Sequence, residues 1–142
     1  MKRLFFILFA IILLAPAPVR ATVDDALSYA LEAAAPYKKD GFTVREDYWG
    51  GDMAVKQPRA IKHQLFKGHT YWFWMGTDEK AAKVGIHVYD SDGNLCEVEF
   101  KQKGQMAMAR VIPKRTGTYY LIAEIEKSPK ERTHYGVAYG YR

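Results

Sequence analysis

The sequence predicts a mainly β domain: an antiparallel, jelly-roll-like β-sandwich of about eight strands, with one N-terminal helix packed on it. Three observations carry this expectation. From Phe42 onward, short runs rich in aromatic and β-branched residues are broken by turn residues about every eight to twelve positions. Inside most of these runs, apolar and polar residues alternate with period two. Ahead of them, a single stretch places Val23, Ala26, Leu27, Ala30, Leu31 and Ala34 at helical spacing.

The chain opens with a targeting pattern. Lys2 and Arg3 precede an apolar run from Leu4 to Leu14, and a Pro- and Ala-containing segment ends at Val19-Arg20-Ala21. A positive flank, an apolar run and small residues before a cleavage point are the parts of a secretory signal. The run is about 11 residues long, whereas a membrane-spanning helix needs roughly 20. Residues 1–21 are therefore read as a cleavable signal peptide, residues 22–41 as a helix with its connector, and residues 42–142 as the sandwich. The mature chain is expected to be periplasmic or secreted, with no transmembrane anchor.

In the helix, Thr22 is placed to cap and Asp25 completes a capping box. Pro36 is expected to end the helix near Ala34, because the residue before proline avoids helical angles. Strands are expected near 42–49, 59–66, 70–76, 84–90, 95–101, 106–113, 118–126 and 134–141. Lys67-Gly68, Asp90-Ser91-Asp92-Gly93-Asn94 and Arg115-Thr116-Gly117 are expected to turn hairpins, each supplying Gly or Asx where unusual backbone angles are needed. Gly50-Gly51-Asp52 reads as a loop.

Alternation assigns the faces. Tyr119, Leu121, Ala123 and Ile125 point one way along 118–126, and Tyr135, Val137, Tyr139 and Tyr141 do so along 134–141. In 95–100, Cys96, Val98 and Phe100 are expected inside, with Leu95, Glu97 and Glu99 outside. The run 70–76 is apolar on both faces: Tyr71, Phe73 and Met75 on one, Trp72 and Trp74 on the other. A strand apolar on both sides needs a cover, and the helix has an apolar stripe without a partner. The helix is therefore expected to lie over Trp72 and Trp74, with Gly136, Ala138 and Gly140 letting it come close.

Composition narrows the function. Removing Lys2, Arg3 and Arg20 from the 21 basic residues leaves 18 against 16 acidic ones, a mature charge of +2. That excess points neither to nucleic acid nor to an anionic membrane as partner. Cys96 is the one cysteine, so packing rather than a disulfide must supply stability.

Several clusters are candidate sites. Trp72 and Trp74, roughly 7 Å apart on one face, could join Trp49 as a ligand-binding platform for a sugar or peptide. The preferred reading of Trp72 and Trp74 is core beneath the helix. Asp90, Asp92 and Asn94, with Glu97 or Glu99 nearby, form an oxygen-rich group that could take calcium. Gly93 arrives too early for an EF-hand, so a hairpin turn is the preferred reading there, and no cofactor is expected. His63, His69, His87 and His134 have no zinc spacing. No catalytic residue is assigned.

The segment Phe66-Lys67-Gly68-His69-Thr70-Tyr71-Trp72-Phe73, then Val84 to Val88 with Tyr89-Asp90 and Asp92-Gly93, then Pro113 with Thr116-Gly117-Thr118-Tyr119-Tyr120-Leu121, carries a resemblance. From about Ile61 to Tyr139 the chain resembles a bacterial pre-peptidase C-terminal domain, a β-sandwich of secreted proteins. The resemblance implies a noncatalytic accessory module, and some relatives bind calcium or extracellular polymers. Here the helix and the strand near 42–49 stand where a catalytic region would precede the sandwich. The preferred function is a noncatalytic exported binding module whose ligand is a protein or polysaccharide surface. The alternatives are a small secreted hydrolase with a site assembled from Asp, Glu and His, or a structural subunit pairing by sheet edges.

Overall fold

The computed structural model describes residues 22–142, and the expected signal peptide lies outside them. The elements are α1 (Val23–Lys39), β1 (Thr43–Val44), β2 (Trp49–Ala54), β3 (Arg59–Leu65), β4 (Tyr71–Thr77), β5 (Lys83–Asp90), β6 (Glu97–Lys103), β7 (Met106–Val111), β8 (Gly117–Lys127) and β9 (Arg132–Tyr141). They build two antiparallel sheets. The larger runs β1-β9-β4-β7-β6, with β2 also on β9, and the smaller runs β3-β8-β5. Strands from β2 to β5, and again from β7 to β9, alternate between the layers, which is the jelly-roll wiring. The expected sandwich is therefore present, with nine strands among the described residues.

That wiring changes the role of two expected turns. Lys67-Gly68 joins β3 to β4, and Arg115-Thr116-Gly117 leads into β8, so both cross from one sheet to the other instead of closing hairpins. Asp90–Asn94 does begin as a hairpin, with an isolated bridge between Tyr89 and Leu95, before β6 leaves for the larger sheet. The tight hairpin within one sheet is β6–β7, turned at Gly104 with φ +55°.

The inner faces form one core. Phe73, Met75, Val137 and Val111 of the larger sheet meet Val84, Ile86, Leu121 and Ile125 of the smaller, all fully buried. The inner positions are as expected, with Tyr119, Leu121, Ala123 and Ile125 of β8 and Tyr135, Val137 and Tyr139 of β9 all in this core, while the second face of β9 is buried under α1.

Outside the larger sheet lies α1, covering Trp72, Trp74 and Ala138. Trp72 is 3% exposed and Trp74 fully buried. Thr22 caps as expected, its Oγ1 accepting from the Asp25 N–H (3.3 Å) while Asp25 Oδ2 accepts from the Thr22 N–H (2.9 Å). The buried stripe is Ala26, Ala30, Ala33 and Ala34, whereas Leu31 stays exposed. The all-alanine contact lets backbones touch: a Cβ on Gly76 would sit 2.6 Å from the Ala30 nitrogen.

Pro36 lies inside α1 and does not end it at Ala34. The reason is tertiary. Tyr37 packs its ring on Trp72 (4.7 Å between centroids) and Trp74 (5.7 Å), which holds the last turn against the sheet despite the lost N–H.

Two further expectations fail. Gly50-Gly51-Asp52 is the middle of β2, paired with Gly136, Tyr135 and His134. Glycine is needed there because a Cβ on Gly50 would lie 2.5 Å from Val23 Cγ1 on the helix. The expected strand near 42–49 is thus two pieces, β1 and the start of β2.

In β6 the expected faces are reversed at one end. A register irregularity between Glu97 and Glu99 turns Glu97 inward and leaves Val98 55% exposed. The cause lies in β5, whose outer edge needs partners. Glu97 Oε2 accepts from the Val88 N–H (2.9 Å), Gln102 Nε2 donates to the Val84 carbonyl, and the Cys96 N–H donates to the Val88 carbonyl (2.8 Å). Side chains and loop backbone thus close this flank of the sandwich as a seam.

Candidate functional site

On the flank away from the seam the layers part near β1, β3 and β9. A cleft of about 510 Å³ opens between them, within the usual size range of small-ligand sites. The larger sheet supplies Tyr71, Tyr139 and Tyr141 from its inner face, because these positions alternate with the helix-facing ones. The smaller sheet supplies His63, inward beside Ile61 and Leu65, and the crossover from β3 to β4 adds Phe66 and His69.

The rings form a continuous wall. His63 meets Tyr139 at 4.8 Å between centroids and Trp49 at 5.0 Å, both edge to face. Trp49 also meets Tyr139 at 5.4 Å. Further along, His69 stands edge-on to Tyr141 at 5.2 Å and to Tyr71 at 6.0 Å. Such geometry is favoured by the ring quadrupoles and fixes the wall before any ligand arrives.

Polar groups anchor it. The Tyr71 hydroxyl accepts from the Phe66 N–H (3.0 Å), tying the crossover down. The Tyr139 hydroxyl donates to Asp47 Oδ2 (3.0 Å), and Arg45 Nε donates to Asp47 Oδ1 (3.3 Å). Burial pushes the Asp47 carboxyl up, but the Tyr139 hydroxyl and the Arg45 guanidinium outweigh it and hold it below its ordinary value. Burial, then the Asp47 charge, pushes the Tyr139 phenol up. Burial pushes His63 down, with Asp47 opposing. The Arg45–Asp47 ion pair stands at the rim of the wall. The wall offers ring faces, hydroxyls, imidazoles and a guanidinium.

The residues singled out from the sequence are distributed differently. Trp49 borders this cleft, half-buried against His63 and Tyr139. Trp72 and Trp74 lie on the opposite face of the larger sheet under α1, so the three-tryptophan platform does not form and the core reading of those two holds. Asp90, Asp92 and Asn94 form a turn: Asp90 Oδ1 accepts from the Asp92 and Asn94 N–H groups, both at 2.9 Å. Those bonds, the Asn94 N–H first, lower the Asp90 carboxyl. Asp92 faces Arg115 (3.5 Å). Among the described residues, no three His, Cys, Asp or Glu side chains are grouped to hold a metal. Cys96 is half-buried and its thiol donates to the Asn94 carbonyl (3.2 Å); burial, then the Asp90 charge, pushes it up and makes it a poor nucleophile.

His63, His69, Tyr139 and Tyr141 were not recognisable as one site from sequence. The inward parity of Tyr139 and Tyr141 is legible along 134–141, but the parity of His63, the place of His69 in the β3–β4 crossover and the parting of the strands are not. No family model matches the chain, and no curated protein matches its sequence.

Proposed function

We propose that the chain is an exported, noncatalytic binding module that engages a polysaccharide in the aromatic cleft. The observation that carries this reading is the concave wall of His63, His69, Tyr71, Tyr139 and Tyr141, with Trp49 packed against His63 and Tyr139, and with hydroxyl, imidazole and guanidinium groups at its surface. Sugar rings present apolar faces to aromatic rings and hydroxyls to polar neighbours, and this cleft offers both. A flat protein epitope fits a concave slot of this size less well. The resemblance to pre-peptidase C-terminal domains agrees with an accessory role outside the cytoplasm.

The test is a titration with a panel of neutral and acidic oligosaccharides, followed by backbone and aromatic NMR shifts. At least one is expected to shift Trp49, His63 and Tyr141 together. Tyr141→Ala, at the half-exposed lip, is expected to weaken that binding by about tenfold with an unchanged circular dichroism spectrum. Shifts confined to residues away from the cleft, or none with any member of the panel, would refute the reading.

A further inference from the structure

The far edge of the larger sheet, opposite β1 and β2, is β6. Exposed apolar side chains concentrate there. Val98 and Phe100 lie on β6 at 55% and 38% exposure, while Leu95 and Ile112 beside it are 58% and 49% exposed. An edge strand presents unpaired backbone groups, and one flanked by apolar side chains is a template for another strand.

The charges on this edge are self-complementary. Its sequence runs Glu97-Val98-Glu99-Phe100-Lys101-Gln102-Lys103, acids in the first half and bases in the second. When two copies pair antiparallel about a two-fold axis at Phe100, Glu99 faces the partner's Lys101, and Lys101 faces the partner's Glu99. Moving the axis to Glu99 or to Lys101 sets that residue against its own copy on the axis, and an in-register parallel pairing sets like charges together at every charged position. Glu99 and Lys101 lie on the same face, the one covered by α1. Lys101 Nζ stands 5.7 Å from the Trp72 ring, and Glu99 Oε2 is 3.0 Å from Arg110 Nε. Side chains on one face at opposed positions are within reach of each other. Phe100 points to the other face, beside His87 (4.8 Å), so the two Phe100 rings meet on the axis.

We propose that β6 is a homodimerisation edge, where a second copy of this chain adds its own β6 antiparallel, in the register centred on Phe100. The two six-stranded sheets then run on as one. The irregularity between Glu97 and Glu99 ends the regular pairing early, so the association is short and concentration-dependent, not permanent. Glu97 takes no part, being turned inward to Val88 and His87. This inference is independent of the cleft, which lies on the opposite flank.

Sedimentation of the purified protein over a wide concentration range tests it, followed by a charge swap. The wild type is expected to move from monomer to dimer mass as concentration rises. Lys101→Glu and Glu99→Lys each set like charges across the axis, and each is expected to self-associate at least about tenfold more weakly. An equimolar mixture of the two restores opposite charges at both positions and is expected to form a heterodimer of near wild-type affinity, which also shows that both variants are folded. A wild type that stays monomeric overturns the proposal. So does undiminished self-association of both single variants, or a mixture no tighter than its components.

Discussion

Asp78, the residue after β4, is a small hub with a well-buried side chain. Its Oδ1 accepts from the Thr133 hydroxyl and from the His134 N–H (3.0 Å), and its Oδ2 accepts from His134 Nδ1 (2.8 Å). Burial pushes this carboxyl up, but those donors outweigh it and hold it below the ordinary 3.8. The unfolded chain therefore binds the proton more tightly. The stabilisation is fully present above that ordinary value and is lost as pH falls through the lower folded value. Asp78→Asn is expected to cost about 2 kcal/mol at neutral pH. Its stability should also fall less steeply than the wild type's below about pH 4, as read from urea midpoints across the acid range. None of this was legible in the sequence. The acids that meet two of the histidines come from distant parts of the chain, Asp78 from the loop after β4 to His134 and Glu97 from β6 to His87. Local spacing carries information only about neighbours within a turn or along one strand.

At the scale of elements, α1 shows how a weak local signal is settled by packing. The capping box and the alanine spacing were legible because both act within a few residues. The persistence of the helix past Pro36 was not, because it depends on Tyr37 reaching Trp72 and Trp74 on β4. The strand character of Gly50 and Gly51 was hidden for a related reason. Glycine has little intrinsic preference for strands, and at Gly50 its use answers to the helix lying across β2. The apolar second face of β4, by contrast, announced its cover correctly. The tightest contact of that cover is Gly76 beneath Ala26 and Ala30. Gly76→Ala must push backbone against backbone, so α1 lifts or shifts. A loss of about 3 kcal/mol is expected in urea unfolding, with the larger share of the change in the environment of Trp72 and Trp74. A loss below about 0.5 kcal/mol would mean that the helix rests more loosely on the sheet than this contact implies.

For the molecule as a whole, the period-two patterns and the turn spacing sufficed for the fold class, because both follow from one buried face per strand. Layer assignment needed more. A turn reads alike whether it closes a hairpin or crosses between sheets, so the residues of Lys67-Gly68 and Arg115-Thr116-Gly117 are equally compatible with either. The β5–β6 seam was likewise invisible, since it rests on Glu97 and Gln102 reaching the backbone of a different sheet. Glu97→Ala removes the acceptor of the Val88 N–H and the partner of His87 together. Val88 amide exchange is expected to speed up by about tenfold or more, while amides in the middle of β8 keep their protection. Unchanged exchange at Val88 would show that the flank is held by packing alone.

A sandwich stitched along one flank behaves like a book bound on one side. The seam sets the spacing of its two boards at Val84 and Val88, whereas across the ring-walled slot the spacing is set by side chains that meet there, His63 against Tyr139.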